Sequence, residues 1–145
     1  MSKRRLAREH CLQSLYLADV SSMEAPDILA VFQMQEFARE KEVFDFYEKL
    51  FIATLSNRVS IDEIITTTSK NWDLERMSAI DRCILRLAVC EMKFLVQAPV
   101  AVVMDEAIEL AKKYSTENSG KFVNGVLDSV AKRLELKKES AKGGS

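Results

Sequence analysis

The run LERMSAIDRCILRLAVCEMKFLV, residues 74–96, decides the fold. Met77, Ile80, Ile84, Leu87, Ala88, Met92 and Leu95 recur at helical spacing and make one apolar stripe. Asp81, Arg82 and Arg86 fall largely off that stripe. No glycine or proline intervenes before Pro99, and Ala98 ahead of that proline is pushed out of helical geometry. The spacing predicts one long helix from about Leu74 to Val96.

The same period extends in both directions. Downstream, Val100, Val103, Ala107, Leu110, Ala111 and Tyr114 form a sixth helix, with Glu109 four residues ahead of Lys113 as a supporting charge pair. A polar break over Ser115–Gly120 precedes a last helix carrying Phe122, Val126, Val130 and Leu134. Gly125 inside it costs about 1 kcal/mol relative to alanine unless another backbone packs close there. Upstream, Ser69–Asp73 is the expected boundary between two halves. Before it, Ser60 is expected to cap a short fourth helix carrying Ile61, Ile64 and Ile65, weakened at its end by Thr66, Thr67 and Thr68. Val43, Tyr47, Leu50 and Thr54 mark a third helix over about Glu42–Leu55. Ile28, Leu29, Phe32 and Phe37 mark a second, with Pro26 suited to its first turn. Ala7, Cys11, Leu15 and Ala18 mark a first, from about Lys3 to Ala18. The expected fold is all-α: about seven helices in two small packed bundles, residues 1–70 and 71–138, with a frayed tail at 139–145.

Composition agrees. The 145 residues are 48% apolar and 30% charged, and hold only four glycines and two prolines. That suits one helical domain large enough to bury a core. No stretch of about eighteen apolar residues is present, so no membrane span is expected. The N-terminus lacks the apolar core of a secretory signal, and the three cysteines match no disulfide framework, so a reducing cytoplasmic home is expected. The net charge of −1 is unevenly spread. Residues 1–10 and 131–145 each carry +3, which leaves −7 for the middle. Any nucleic-acid site is therefore a local basic patch, and the acidic middle suits a basic partner.

Arg4, Arg5 and Arg8 project toward the same side of the first helix as Cys11, Leu12 and Leu15. Three arginines in a dry core would be prohibitive, so the first turn is expected to overhang or fray as a basic arm. Residues able to carry catalysis are sparse. His10 is the single histidine and has no nucleophile partner in a known motif, and with Cys11 alone it makes no metal site. Cys11, Cys83 and Cys90 read as core residues. Asp105, Glu106 and Glu109, followed by Lys112 and Lys113, read as a solvated face. Neither catalysis, nor a metal, nor a cofactor is expected.

Two segments carry a family resemblance. The first is Arg4-Arg5-Leu6-Ala7-Arg8-Glu9 running on to Leu15-Tyr16. The second, more specific, is Asp105-Glu106-Ala107-Ile108-Glu109-Leu110-Ala111-Lys112 followed by Lys121-Phe122-Val123-Asn124-Gly125-Val126-Leu127-Asp128. Ile80–Arg86 and Pro99-Val100 match in character and place. From about Arg4 to Leu134 the chain resembles the NusB family of bacterial transcription antitermination factors. The resemblance implies seven helices in two bundle-like halves. It also implies binding of boxA-type single-stranded RNA together with the ribosomal protein NusE. In that family the complex with RNA polymerase suppresses termination, notably in ribosomal RNA operons. It assigns RNA contact to Arg4, Arg5, Arg8, Lys121 and Phe122, and the protein-partner face to Tyr16 and Asp81; Arg86 is a further phosphate candidate, and Asn118, where the sequence departs from the family, offers an amide able to read base edges.

The chemistry fits those assignments. Arginines neutralise phosphates, an unstacked base stacks on an aromatic ring, and amide groups at a helix start beside Lys121 favour anions. Asn118 departs from the family, which commonly has an acid there, so RNA binding without a partner is expected to be easier. One competing reading is a helical interaction scaffold, a homodimer that hides its basic arm. Another is kinship with the RNA-binding part of certain RNA cytosine methyltransferases, without their cofactor-binding half.

Overall fold

The computed structural model describes residues 2–68 and 73–136. Seven α-helices occur among them: α1 (Lys3–Val20), α2 (Ala25–Gln33), α3 (Lys41–Ser56), α4 (Arg58–Thr68), α5 (Ala79–Lys93), α6 (Val100–Tyr114) and α7 (Glu117–Arg133). Two short 3-10 turns, Glu36–Arg39 and Leu74–Arg76, join them. The all-helical expectation holds. The expected boundary at Ser69–Asp73 lies largely outside the described residues, and the tail 139–145 wholly so.

The helix predicted over residues 74–96 is shorter and more central than its stripe implied. Ser78 interrupts it: its hydroxyl accepts the Asp81 amide at 3.1 Å and caps α5, while Met77 stays extended. At the other end the Leu95 amide reaches back to the Cys90 carbonyl at 2.9 Å, which closes the helix before Pro99. Leu85 and Val89, off the predicted stripe, are buried along with Ile84, Leu87 and Met92. Burial reaches round most of α5, its charged side chains being met by partners on other helices, and α5 packs against α1, α3, α4, α6 and α7. Each fully buried Leu, Ile or Met contributes about 1.5–3 kcal/mol.

Other local expectations need correction. Ser60 caps nothing: α4 restarts at Arg58, directly after Asn57, and Ser60 lies inside it. The Asn57 side chain donates to the Ala53 carbonyl at 2.8 Å, ending α3, and the Asn57 carbonyl accepts the Ile61 amide at 2.8 Å, starting α4. Thr66, Thr67 and Thr68 stay helical, and each hydroxyl satisfies itself by donating to the carbonyl four residues back. Phe37 belongs to a 3-10 turn rather than to α2. There it stacks on His10, with ring centroids 3.8 Å apart, and meets Tyr47 edge-on at 5.2 Å. His10 is thus a structural ring, its Nδ1 2.9 Å from the Leu6 carbonyl oxygen.

The three cysteines are buried and free, as expected. Burial pushes the Cys83 thiol up to about 12 and the Cys11 thiol well above its ordinary value, so both stay protonated and unreactive.

No neighbouring chain packs close at Gly125, so the condition that would justify a glycine there is not met; the crowded glycine is Gly120, against side chains of α6. A Cβ on Gly120 would sit 3.2 Å from Lys112 Cγ and 3.6 Å from Ile108 Cγ2, at the α6–α7 turn, whereas one on Gly125 would meet nothing within 4 Å. Gly125 is exposed and its φ is not positive. Gly125→Ala should therefore stabilise the protein by about 1 kcal/mol and raise the melting temperature by about 2–4 °C. An unchanged or lower melting temperature would refute this account of the position.

Candidate nucleic-acid interface

The N-terminal arginines do not form a frayed arm. Ser2 caps α1, accepting the Arg5 amide at 3.1 Å, and the helix is regular from Lys3 onward. Arg4 lies 4.8 Å over the Phe46 ring and donates from Nη1 to the Gln97 carbonyl at 3.0 Å. Arg5 donates from Nε to both oxygens of Glu106, at 3.1 and 3.2 Å, and from Nη2 to Oε2. Arg8 is buried and grips Glu91 through two hydrogen bonds, Nε to Oε2 at 2.7 Å and Nη2 to Oε1 at 2.8 Å. Its Nη1 stands 3.5 Å from Glu106 Oε1. An arginine can lie in the core when a carboxylate comes with it, and here α5 and α6 each supply one. Burial alone would lower the Arg8 pKa, yet Glu91 and Glu106 hold it above its ordinary value.

Arg86 is likewise corrected from phosphate contact to internal clamp. Its Nε and Nη2 hold Asp62 at 2.8 and 3.0 Å, and its Nη1 holds Asp19 at 3.1 Å. Asp19 also accepts from Arg82 Nη2 at 2.6 Å. Burial opposes the Asp19 charge, but the two guanidinium groups hold its carboxyl below the usual range.

The polar break expected over Ser115–Gly120 is shorter than its residue types suggest. Thr116 caps α7, accepting the Ser119 amide at 3.0 Å, and the helix begins at Glu117. Lys121 therefore lies one turn inside α7, and the amides free of helical partners belong to Glu117 and Asn118. Asn118 and Phe122, four residues apart, share one face. Asn118 and Lys121 are exposed, and Phe122 is half-buried beside fully buried Val123, Val126 and Leu127.

On the expected partner face, Tyr16 is exposed on α1 with Val20 one turn on. Asp81 accepts from the Ser119 hydroxyl at 3.3 Å through Oδ2, and its Oδ1 is buried without a hydrogen-bond partner among the described residues.

The carboxylates of α6 divide. Asp105 and Glu109 are exposed, but Glu106 is buried against Arg5 and Arg8, so the solvated-face reading fails for it. Lys113 pairs with Glu9 at 2.7 Å rather than with Glu109, tying α6 to α1. Sequence reasoning misses Glu91, Asp19 and Asp62, and it misplaces Glu106 at the surface. Glu91 had a readable signal, a lone acid between the apolar Cys90 and Met92. No group of three or more metal-ligating side chains occurs among the described residues.

Helices packed around a central α5, with charged side chains bridging α1 to α6 and a half-buried ring beside an exposed lysine on α7, define an all-helical binding protein. Residues 5–132 match the model of the NusB family. The chain is 47% identical over 133 residues to the transcription antitermination protein NusB of Elusimicrobium minutum, covering 91% of this chain and 95% of that protein. It superposes on NusB of T. maritima with a TM-score of 0.79 at 34% identity, covering 95% of this chain and 92% of that one. It also superposes on a chain from the crystal structure of the antitermination factors NusB and NusE in complex with double-stranded RNA. There the TM-score is 0.84 at 28% identity, covering 92% of this chain and 98% of that one. The chain belongs to the NusB family of transcription antitermination proteins.

Proposed function

We propose that this protein binds boxA-type single-stranded RNA together with the ribosomal protein NusE. In that complex it helps RNA polymerase read through terminators, notably in ribosomal RNA operons, as a cytoplasmic factor and without catalysing a reaction. The observation that carries the RNA part is the α7 face. Asn118 and Phe122 lie side by side with Lys121 next to them, so an amide, a ring and a cation are offered together. Unpaired bases stack on such rings, whereas bases inside an A-form duplex stay stacked on each other. Arg4 and Arg5, exposed at the start of α1, supply phosphate contacts, while Tyr16 and Asp81 are assigned to the NusE face. Arg8 and Arg86 are left out of the RNA contacts because carboxylates occupy their donors.

The test is titration of a boxA-like RNA, with and without NusE, by gel shift or fluorescence anisotropy. Phe122→Ala should cost about 1–3 kcal/mol of RNA binding, and a duplex competitor should displace the RNA poorly. Replacing Arg4 and Arg5 together by alanine should lower the log–log salt slope by about 1.4, at roughly 0.7 per single-strand phosphate. Asn118→Asp should weaken binding by returning a negative charge beside the RNA. Normal RNA affinity in a destabilised Phe122→Ala protein would make Phe122 a core residue and end this reading of α7.

A further inference from the structure

Four charges alternate in sign from the core to the surface where α1, α5 and α6 meet. Glu91 on α5, Arg8 on α1, Glu106 on α6 and Arg5 on α1 have side-chain exposures of 2, 4, 11 and 45%. Each carboxylate lies within ion-pair distance of its neighbouring arginines, and the series ends on a cation in water. α1 and α6 meet here through long side chains: Arg5 and Arg8 with Glu106, Glu9 with Lys113, and Gln13 with Tyr114. Arg5, Arg8, Glu9, Glu106 and Lys113 line a cavity of about 150 Å³ between the two helices.

The outermost pair has a defined direction. Arg5 spends its Nε edge on Glu106. A guanidinium carries five N–H donors in a rigid fork, so the Nη1–Nη2 edge still offers a second bidentate face. Glu106 cannot swing away to follow Arg5, because it is itself held between Arg5 and Arg8, and Arg8 is fixed by Glu91. The charge of Glu106 is shared between two guanidinium groups, which limits its repulsion of an incoming anion. A long side chain normally gives up rotamer freedom when it meets a ligand, and here much of that freedom is already lost.

We propose that Glu106 is a positioning residue for RNA: it fixes the Arg5 guanidinium with its Nη1–Nη2 edge outward, ready for one backbone phosphate. This rests on the RNA-binding reading above and adds to it a residue that itself touches no RNA. Charge and orientation of Arg5 are varied separately in the test.

Affinity for a boxA-like single-stranded RNA is measured over a salt series for wild type, Arg5→Ala, Arg5→Lys, Glu106→Gln and the double variant Arg5→Ala/Glu106→Gln, with thermal melts in parallel. Arg5→Ala should lower the salt slope by about 0.7. Glu106→Gln should weaken binding by about 2- to 10-fold with the slope unchanged, because the cation remains but its orientation is released. Arg5→Lys should bind nearly as poorly as Arg5→Ala, since an ammonium keeps the charge and loses the fork. In the Arg5→Ala background, Glu106→Gln should cost nothing further. Glu106→Gln binding as tightly as wild type overturns the proposal, and tighter binding would make Glu106 a competitor of the phosphate instead. An equal loss in both backgrounds makes Glu106 merely structural and also overturns it. If Glu106→Gln fails to fold, Arg5→Lys decides: its side chain is exposed, and wild-type affinity there refutes oriented recognition. Wild type failing to bind RNA at all would instead sink the underlying RNA reading, and the proposal with it.

Discussion

Glu91→Leu should destabilise the protein by about 3–5 kcal/mol, with a fall in melting temperature on the order of 10 °C. The substitution keeps apolar bulk on α5, so its cost is not a cavity. What it removes is the carboxylate that accepts two hydrogen bonds from Arg8, at 2.7 and 2.8 Å, deep between α1 and α5. Arg8 would then be a buried cation with only the more distant Glu106 beside it. A guanidinium without its counter-charge cannot recover its hydration without opening the packing around it. The double variant Arg8→Met/Glu91→Leu should recover most of the loss, because an apolar pair of similar size has neither charge to desolvate. Chemical denaturation of the three proteins checks both statements. A single variant within about 1 kcal/mol of wild type would mean that the pair is not the internal clamp of α1.

Asp19→Asn should cost about 2–3 kcal/mol at neutral pH and flatten the acid sensitivity of the fold. Asp19 is the shared acceptor for Arg82 and Arg86, at 2.6 and 3.1 Å, and joins the end of α1 to the start of α5. The cost is smaller than for Glu91 because Asp62 still holds Arg86 and the site is less deeply buried. The folded Asp19 carboxyl titrates below its unfolded value of about 3.9, so the unfolded chain takes up this proton first. The stabilisation is therefore complete above about pH 5 and is lost as the pH falls through the folded value. Denaturation midpoints at pH 7, 5, 4 and 3 should converge for wild type and Asp19→Asn toward the acid end. Parallel curves down to pH 3 would show that Asp19 is not a source of the acid sensitivity.

How far the sequence could be read is visible in particular residues. Helix existence was legible nearly throughout, because a 3.6-residue apolar period is a local property. The breaks were less so. Ser78 with Asp81 three residues on is a capping signal, but the apolar stripe running across it hid the break before α5. Thr66, Thr67 and Thr68 have weak helix propensity, yet their hydroxyls bond to the preceding turn and the helix continues. Gly120 and Gly125 are alike as letters, yet only Gly120 faces side chains of α6, since which face of α7 meets α6 depends on the whole packing. Of the candidate site, the α7 segment with Asn118, Lys121 and Phe122 came from its likeness to a family. Geometry then added that Asn118 and Phe122 share a face.

The arginines show the division most clearly. By itself the sequence determined an all-helical chain, a cation-rich start and membership in one family, all of which depend on local spacing or on a run of matched residues. Tertiary structure alone decided what those cations do. Arg8 and Arg86 are internal clamps, Arg5 is held at the surface by Glu106, and Arg4 rests on Phe46. The reason is physical: the carboxylates that match Arg5 and Arg8 stand 101 and 83 residues away along the chain. No periodicity links such positions. Only the packing of α1 against α5 and α6 brings them within reach, and until it does, a buried arginine and a free one are the same letter.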